Sequence, residues 1–426
     1  MSTPVRILLA LALGLGLGTW LKETDPAAAG RVLAFAEPIG GMWLDALRMT
    51  IVPLVLSLLV IGIASTADAA RAGGIAARTV AYILVTLWLS SLAGWLLSEL
   101  FWEIAPLPKA AGAALGKALG AHSGPVPPVP GIGEFLRGIV PPNIVKAAAE
   151  DQMLGIILFG GLFGFAAMKL DTGRRDRLVG AFDAIAEAML VIIGWVLWVA
   201  PLGVLALAFS VGAKAGLAAA GALGHYVLTL SAIGAAVTLI VYPAAVLLGR
   251  VGLGPFARAV APAQALAIST QSSLACLPIM LKGADAIGVP ARVSALTMPM
   301  AAALMRTTGP AMNLGVALYV AHWLGVALGP AQIAAGIALG ATTTLGAVSL
   351  PGQVSFLSSI APIAIAMGVP VGPLLLLIAV EPIPDIFRTI GNVTNDVALA
   401  RVIARLTGNA AAPGSFVGEM EALRAD

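Results

Sequence analysis

Ser269-Thr270-Gln271-Ser272-Ser273 lies in the middle of a stretch, Ala259 to Leu281, that has no charged residue. A run this long and apolar suits a membrane span. Its polar centre, followed by Pro278, does not: hydrocarbon offers backbone groups no partner, and each unsatisfied one costs several kcal/mol. The stretch is therefore expected to be a re-entrant helical hairpin buried in protein. A second stretch, His322 to Val380, also lacks formal charge, is too long for one helix, and is interrupted by Ser349-Leu350-Pro351-Gly352-Gln353. Its latter part, Gln332 to Val369, is expected to form a second hairpin with that sequence at its tip. Two ordinary helical pairs with tight turns are the alternative. A pair of broken segments in related positions points to a ligand site at mid-membrane depth.

The rest of the chain supports a membrane setting. Of its 426 residues 59% are hydrophobic and 11% charged, and the mean hydropathy is +0.99. A soluble domain carries about 25% charged residues, so this chain cannot cover a soluble surface. The net charge of +3 comes from basic residues in short loops between apolar runs. That argues for orientation in a bilayer rather than for nucleic acid. One cysteine, Cys276, excludes an internal disulfide, and His122, His225 and His322 have no metal-ligand spacing. The stretch Val5 to Trp20 lacks a cleavage site after it and is expected to be a retained first span.

Apolar runs of span length place helices near Val5–Leu21, Ile39–Thr66, Ile75–Leu100, Leu154–Met168, Phe182–Ala213, Leu223–Leu248, Val293–Leu324 and Pro370–Ile403. Arg71 and Arg78, Lys169 to Arg177, Arg250 and Arg258, and Arg401 and Arg405 fall on one side. The positive-inside rule makes that side cytoplasmic and puts both termini there. Lys22, Arg31, Lys109, Lys117 and Lys214 lie on the other side, among acids or in a longer loop.

Within the last apolar run, Glu381, Asp385, Arg388, Asn392 and Asp396 recur at steps of four, three, four and four. At helical periodicity they fall within roughly 80° of arc, with Thr389 at the border. Ionisable groups inside a span are costly and mark a pathway or a ligand. Glu381, at the helix start, fits a solvated helix end equally well. Asp385, Arg388 and Asp396 do not, because Thr389 and Asn392 extend their face with neutral hydrogen-bonding groups. Arg388 offers a planar fork for a carboxylate, Asp385 suits an ammonium, and hairpin tips supply N–H groups for a second carboxylate. A small zwitterion with an acidic side chain meets all three.

These residues carry a family resemblance. Asp385-Ile386-Phe387-Arg388-Thr389-Ile390-Gly391-Asn392-Val393-Thr394-Asn395-Asp396 resembles the D-x-x-R-T-x-x-N-V-T-x-D signature of the glutamate/aspartate transporter family, the dicarboxylate/amino acid:cation symporters. Thr270 to Pro278 is similar to that family's serine-rich first hairpin, Leu47 to Val55 to its second helix, and Ala200 to Val204 to its fifth. The resemblance implies an all-α polytopic membrane protein of eight transmembrane helices and two re-entrant hairpins, built from inverted repeats and working as an elevator-type homotrimer in the plasma or inner membrane. Residues 1–70 would be scaffold helices and 71–104 a transport-domain helix. Residues 105–222 would be scaffold again, 223–408 the rest of the transport domain and 409–426 a cytoplasmic tail. By matching positions, Asp385 would bind the substrate amino group, Arg388 its side-chain carboxylate, Thr389 and Asn392 the remainder, and Ser272 and Ser273 would line the site. Asp396 would belong to a sodium site.

The seventh helix departs from the family. Its N-M-D-G-T motif, which holds sodium, is matched without gaps by Met305-Arg306-Thr307-Thr308-Gly309 or, with compensating gaps, by Met312-Asn313-Leu314-Gly315-Val316, which also lacks the aspartate. In the match without gaps asparagine and aspartate are gone and a basic residue has arrived, so sodium or proton coupling stays open. A guanidinium inside a span needs a partner. Arg306 is expected to reach Asp396 as a tethered cation; the alternatives are that it reaches an aqueous cavity or a helix C-terminal carbonyl, or that it pairs with Asp385 and changes the selectivity. The expected activity is symport of acidic amino acids or dicarboxylates, with small-molecule and lipid partners, no cofactor and no nucleic acid. A transporter-like sensor or channel is the first alternative. A polytopic enzyme is the second, and Ser272, Ser273 and Cys276 have no histidine near them in sequence to support it.

Overall fold

A computed structural model of the protein describes residues 3–71, 74–106, 140–150, 153–346 and 352–408. Every regular element among them is helical. In chain order they are α1 (Thr3–Thr24), α2 (Pro26–Arg48), α3 (Ile51–Arg71), α4 (Gly74–Ile104), α5 (Ile144–Ala149), α6 (Met153–Ala167), α7 (Thr172–Trp198), α8 (Ala200–Ala215) and α9 (Leu217–Gly249). There follow α10 (Leu253–Thr270), α11 (Ser273–Ala286), α12 (Ala291–Leu304), α13 (Gly309–Leu324), α14 (Pro330–Gly346), α15 (Gly352–Ala366), α16 (Gly372–Leu377) and α17 (Pro382–Leu406). Among the described residues α4, Thr172–Val196 of α7 and Gly221–Gly249 of α9 are long and apolar enough to cross a bilayer. Phe35 is 75% exposed and Trp198 81%, an exterior suited to hydrocarbon rather than water.

Four helices expected to be continuous are broken, each at a proline. The run Ile39–Thr66 divides between α2 and α3, three residues before Pro53. Phe182–Ala213 divides at Val199, before Pro201, which sits in the first turn of α8. Val293–Leu324 opens at residues 305–308, with Pro310 in the first turn of α13. Pro370–Ile403 opens at residues 378–381, with Pro382 and Pro384 starting α17. Proline has no N–H to give a preceding turn, but it suits a first turn where that donor is orphaned anyway. Hydropathy reads through such breaks because the flanking residues stay apolar.

The first hairpin is present as α10 and α11, packed together and joined at Gln271 and Ser272. Gln271 adopts a left-handed conformation, φ 48°, and Ser272 caps α11 by accepting from the Ala275 amide. The second consists of α14 and α15, also packed together. Its expected tip residues Ser349, Leu350 and Pro351 lie outside the described residues, as do Lys109, Lys117, His122 and the tail 409–426. Each hairpin is followed by a helix pair with a non-helical break, α12–α13 and α16–α17.

Helix α17 is the buried axis of the molecule, packed by α9, α10, α11 and α12. A core including Val393, Val397 and Leu399 surrounds it, with Phe256, Met280 and Val293 from those neighbours. At its C-terminal end Arg401 donates to the carbonyls of Gly249 and Gly288, closing the ends of α9 and α11. Arg405 donates to the Leu248 carbonyl at 2.6 Å, and Arg78 to that of Leu406 at 3.0 Å. These arginines satisfy helix-end carbonyls that would otherwise be orphaned.

Helices α1 and α8 approach closely through glycines. A Cβ on Gly14 would stand 2.6 Å from the Leu205 carbonyl oxygen, and one on Gly18 would strike the Phe209 carbonyl. Gly212 on α8 meets the Leu15 carbonyl in the same way. Small residues four apart permit such backbone contact where no hydrophobic force drives helices together. Gly16, between them, faces open space. Gly18→Ala is therefore expected to destabilise the purified protein by about 1–3 kcal/mol through overpacking, lowering its thermal midpoint in detergent, while Gly16→Ala leaves the midpoint within error.

Candidate functional site

The polar stripe of α17 forms one buried group. Asp385, Arg388, Thr389 and Asn392 are buried, as is Asp396, and Glu381, in the break before the helix, is only 2% exposed. A solvated helix end is thus the wrong description of Glu381. Arg388 holds two carboxylates with a single nitrogen: its Nη1 lies 2.9 Å from Asp385 Oδ1 and 2.7 Å from Glu381 Oε1. The second Glu381 oxygen accepts from the Tyr226 hydroxyl on α9 at 2.8 Å. Arg388 Nε and Nη2 have no hydrogen-bond partner among the described residues, and neither does Glu381 Oε1, whose short contact with Nη1 lacks hydrogen-bond geometry.

The broken segments converge on this group. At the first hairpin tip the Gln271 side chain donates to the Pro382 carbonyl at 3.1 Å, next to Glu381. Ser272 and Ser273 are half-buried at the same tip. From the α12–α13 break, the Thr308 amide donates to Asn392 Oδ1 at 3.1 Å. The Thr308 hydroxyl lies 2.7 Å from the Arg388 carbonyl and 2.9 Å from Asn392 Oδ1, and its one proton serves either. Thr389 turns its hydroxyl back to the Asp385 carbonyl at 3.0 Å. Gly391 makes this convergence possible, since a Cβ there would stand 2.5 Å from Thr238 Oγ1 on α9 and strike Thr308.

Arg306 corrects one expectation. It is partly buried in the break, within electrostatic range of Asp385 and Arg388. The carboxylate oxygens of Asp396 are fully buried and have no hydrogen-bond partner among the described residues. A tether from Arg306 to Asp396 is therefore absent. The break meets α17 along Arg388, Asn392 and Asn395, and Asp385 stands about three turns before Asp396. Arg306 lies within electrostatic range of Asp385.

One turn further on, the break meets α4 and α17 through neutral groups. The Asn395 carboxamide donates to Thr307 Oγ1 at 2.7 Å and accepts from the Tyr82 hydroxyl at 3.1 Å. The Ser90 hydroxyl donates to the Thr307 carbonyl in a short hydrogen bond. Among the described residues no three His, Cys, Asp or Glu side chains cluster as metal ligands.

Two features of this site had little signal in the sequence. Glu381 was visible as the first member of the stripe, but its burial was not. Tyr226 lies 155 residues from Glu381 in an unremarkable apolar helix, and nothing local marks it.

The profile of the sodium:dicarboxylate symporter family matches residues 4–406. A proton/glutamate-aspartate symporter of Escherichia coli K12 is 29% identical over 94% of this chain and 92% of its own length. A C4-dicarboxylate transport protein of Ralstonia nicotianae is 26% identical over 94% and 88%. The human neutral amino acid transporter A is 30% identical over 88% and 76%. These relatives are transporters, which removes the enzyme reading. A helical bundle with a buried ionic stripe and a match over nearly the whole chain lead to one statement: the protein is an integral membrane secondary transporter and belongs to the sodium:dicarboxylate symporter family.

Proposed function

We propose that this protein is an elevator-type symporter of acidic amino acids such as aspartate and glutamate, or of related dicarboxylates, with altered or absent sodium coupling. The observation that carries the substrate class is the buried Arg388 guanidinium, whose Nε and Nη2 edge is unspent. That edge offers two parallel donors to a carboxylate. Asp385, held at 2.9 Å by Nη1, takes the substrate ammonium. Thr389 and Asn392 continue the surface, Ser272 and Ser273 close it from the hairpin tip, and Arg306 adds positive charge beside Asp385. The names of two relatives, one a glutamate-aspartate symporter and one a C4-dicarboxylate transporter, fit this class. The protein works as a homotrimer in the plasma or inner membrane with both termini cytoplasmic.

The altered coupling rests on the α12–α13 break. Thr307 stands where the family resemblance calls for an aspartate, and Asn395 binds it as one neutral group to another. With no carboxylate in that network, a bare cation there would lack a counter-charge in a low-dielectric setting. Asp396 keeps a buried carboxylate with no donor and is the remaining candidate to hold sodium.

Two outcomes are expected. Arg388→Ala removes one member of a buried charge group, a change worth about 3–5 kcal/mol, so aspartate and glutamate should bind at least about a hundredfold more weakly. Calorimetry or a radiolabel assay on purified protein measures this. Near-normal aspartate affinity in Arg388→Ala would refute the substrate assignment. In proteoliposomes, uptake of labelled aspartate, glutamate and succinate should change little when choline replaces sodium. Steep sodium dependence would refute the altered coupling and leave the substrate class standing.

A further inference from the structure

Glu381 is buried, charged and conformationally anchored, and the substrate site described above does not use it. Its Oε2 accepts from Tyr226 at 2.8 Å, and its Oε1 lies 2.7 Å from the Arg388 nitrogen that also serves Asp385. We propose that Glu381 is the proton-carrying residue of this transporter: a proton taken up on Glu381 Oε1 offsets the charge that the substrate carboxylate brings to the free Nε and Nη2 edge of Arg388, so that proton and anion enter together. This rests on the reading of Arg388 as the carboxylate-binding group.

The charge count supports the coupling. Glu381 and Asp385 carry two negative charges, and Arg388 and Arg306 two positive ones, so the buried group is neutral with both carboxylates ionised. An acidic amino acid brings a net charge of about −1 at neutral pH. Uncompensated charge in such a site is costly. One proton from the aqueous side, added to Glu381 Oε1, restores neutrality. The Arg388–Glu381 ion pair at Nη1 gives way to a neutral acid, and the free Nε and Nη2 edge takes the incoming carboxylate. On release the proton leaves Oε1 and the ion pair re-forms. No other bond changes.

The local structure assigns the proton to Glu381 rather than to Asp385. Asp385 makes the hydrogen-bonded pair with Arg388 and is the counter-charge for the substrate ammonium. Glu381 Oε1 meets Arg388 only through the Nη1 ion pair at 2.7 Å and has no second donor, so it is the oxygen open to a proton. Tyr226 continues to donate to Oε2 in either state. The titratable and charged groups around Glu381 are Arg388 and Asp385 from α17, Tyr226 from α9, and Tyr319 from α13. Tyr319 packs edge-on to Tyr226, with ring centroids 5.3 Å apart, and its hydroxyl meets His225 at 2.9 Å. Asp396 lies just over four turns along α17 from Glu381 and shares none of these partners.

Aspartate binding to the full-length protein in sodium-free choline buffer tests the proposal. With one proton linked to one anion, affinity should tighten by up to about tenfold for each pH unit between 8 and 6. An imposed inward proton gradient should concentrate aspartate in proteoliposomes. In Glu381→Gln, which keeps the shape and fixes the neutral form, affinity should be flat over that range and proton-driven accumulation lost. Tyr226→Phe, whose charge is unchanged, should keep the slope and shift its midpoint, and it serves if Glu381→Gln does not fold. A retained slope or retained proton-driven accumulation in Glu381→Gln overturns the proposal, as does a wild type without pH dependence or an unmoved midpoint in Tyr226→Phe. Failure of the wild type to bind aspartate, glutamate or succinate at any pH would instead overturn the substrate assignment beneath it.

Discussion

A single guanidinium nitrogen serving two buried carboxylates sets the terms for everything around it. Arg388 Nη1 lies within 2.9 Å of both Asp385 and Glu381, and none of the three groups is more than 7% exposed. Charges removed from water must be compensated in place, so the surrounding helices are arranged to supply that compensation. Tyr226 comes in from α9, Arg306 from the α12–α13 break, and the first hairpin tip reaches the Pro382 carbonyl through Gln271. The ionic group explains why so much polar backbone converges in an otherwise apolar molecule.

The convergence needs irregular backbone, which is tolerated at membrane depth only when protein satisfies it. The α12–α13 break is satisfied chiefly by α17: Asn392 accepts from the Thr308 amide and the Thr308 hydroxyl reaches the Arg388 carbonyl. The same residue face that carries the ionic stripe therefore also holds the unwound segment in place. Substitutions at Asn392 or Thr308 would disturb the position of Arg388 without touching its charge. Gly391, pressed between Thr238 and Thr308, shows how close the backbones must come.

Chemistry at the break separates this chain from the family pattern it otherwise follows. Where a carboxylate would gather cations, Asn395 donates to Thr307 and accepts from Tyr82. Neutral side chains that satisfy each other give a stable network that needs no ion. Among the described residues, the buried carboxylates with an oxygen lacking a hydrogen-bond donor are Glu381 and Asp396, at opposite ends of the stripe. Those two positions, rather than the break, are where the proposed ion coupling would act.

The sequence by itself determined the class and the stripe. A charge content too low to cover a soluble surface required lipid around the chain, and the four-three-four-four spacing put Asp385, Arg388, Asn392 and Asp396 on one helical face whatever the packing. It also located the first hairpin, because hydroxyls and an amide at the centre of an uncharged run have no place in hydrocarbon. Contacts between distant segments were decided only in the tertiary structure. The sequence placed Arg306 at the level of the break but not its partner, since partner choice depends on which turn of α17 the break abuts. Glu381 was legible as a helix-start carboxylate and became a buried ion-pair partner only through Tyr226 and the break at residues 378–381. Periodicity records which face a residue occupies; burial and pairing depend on what folds against that face.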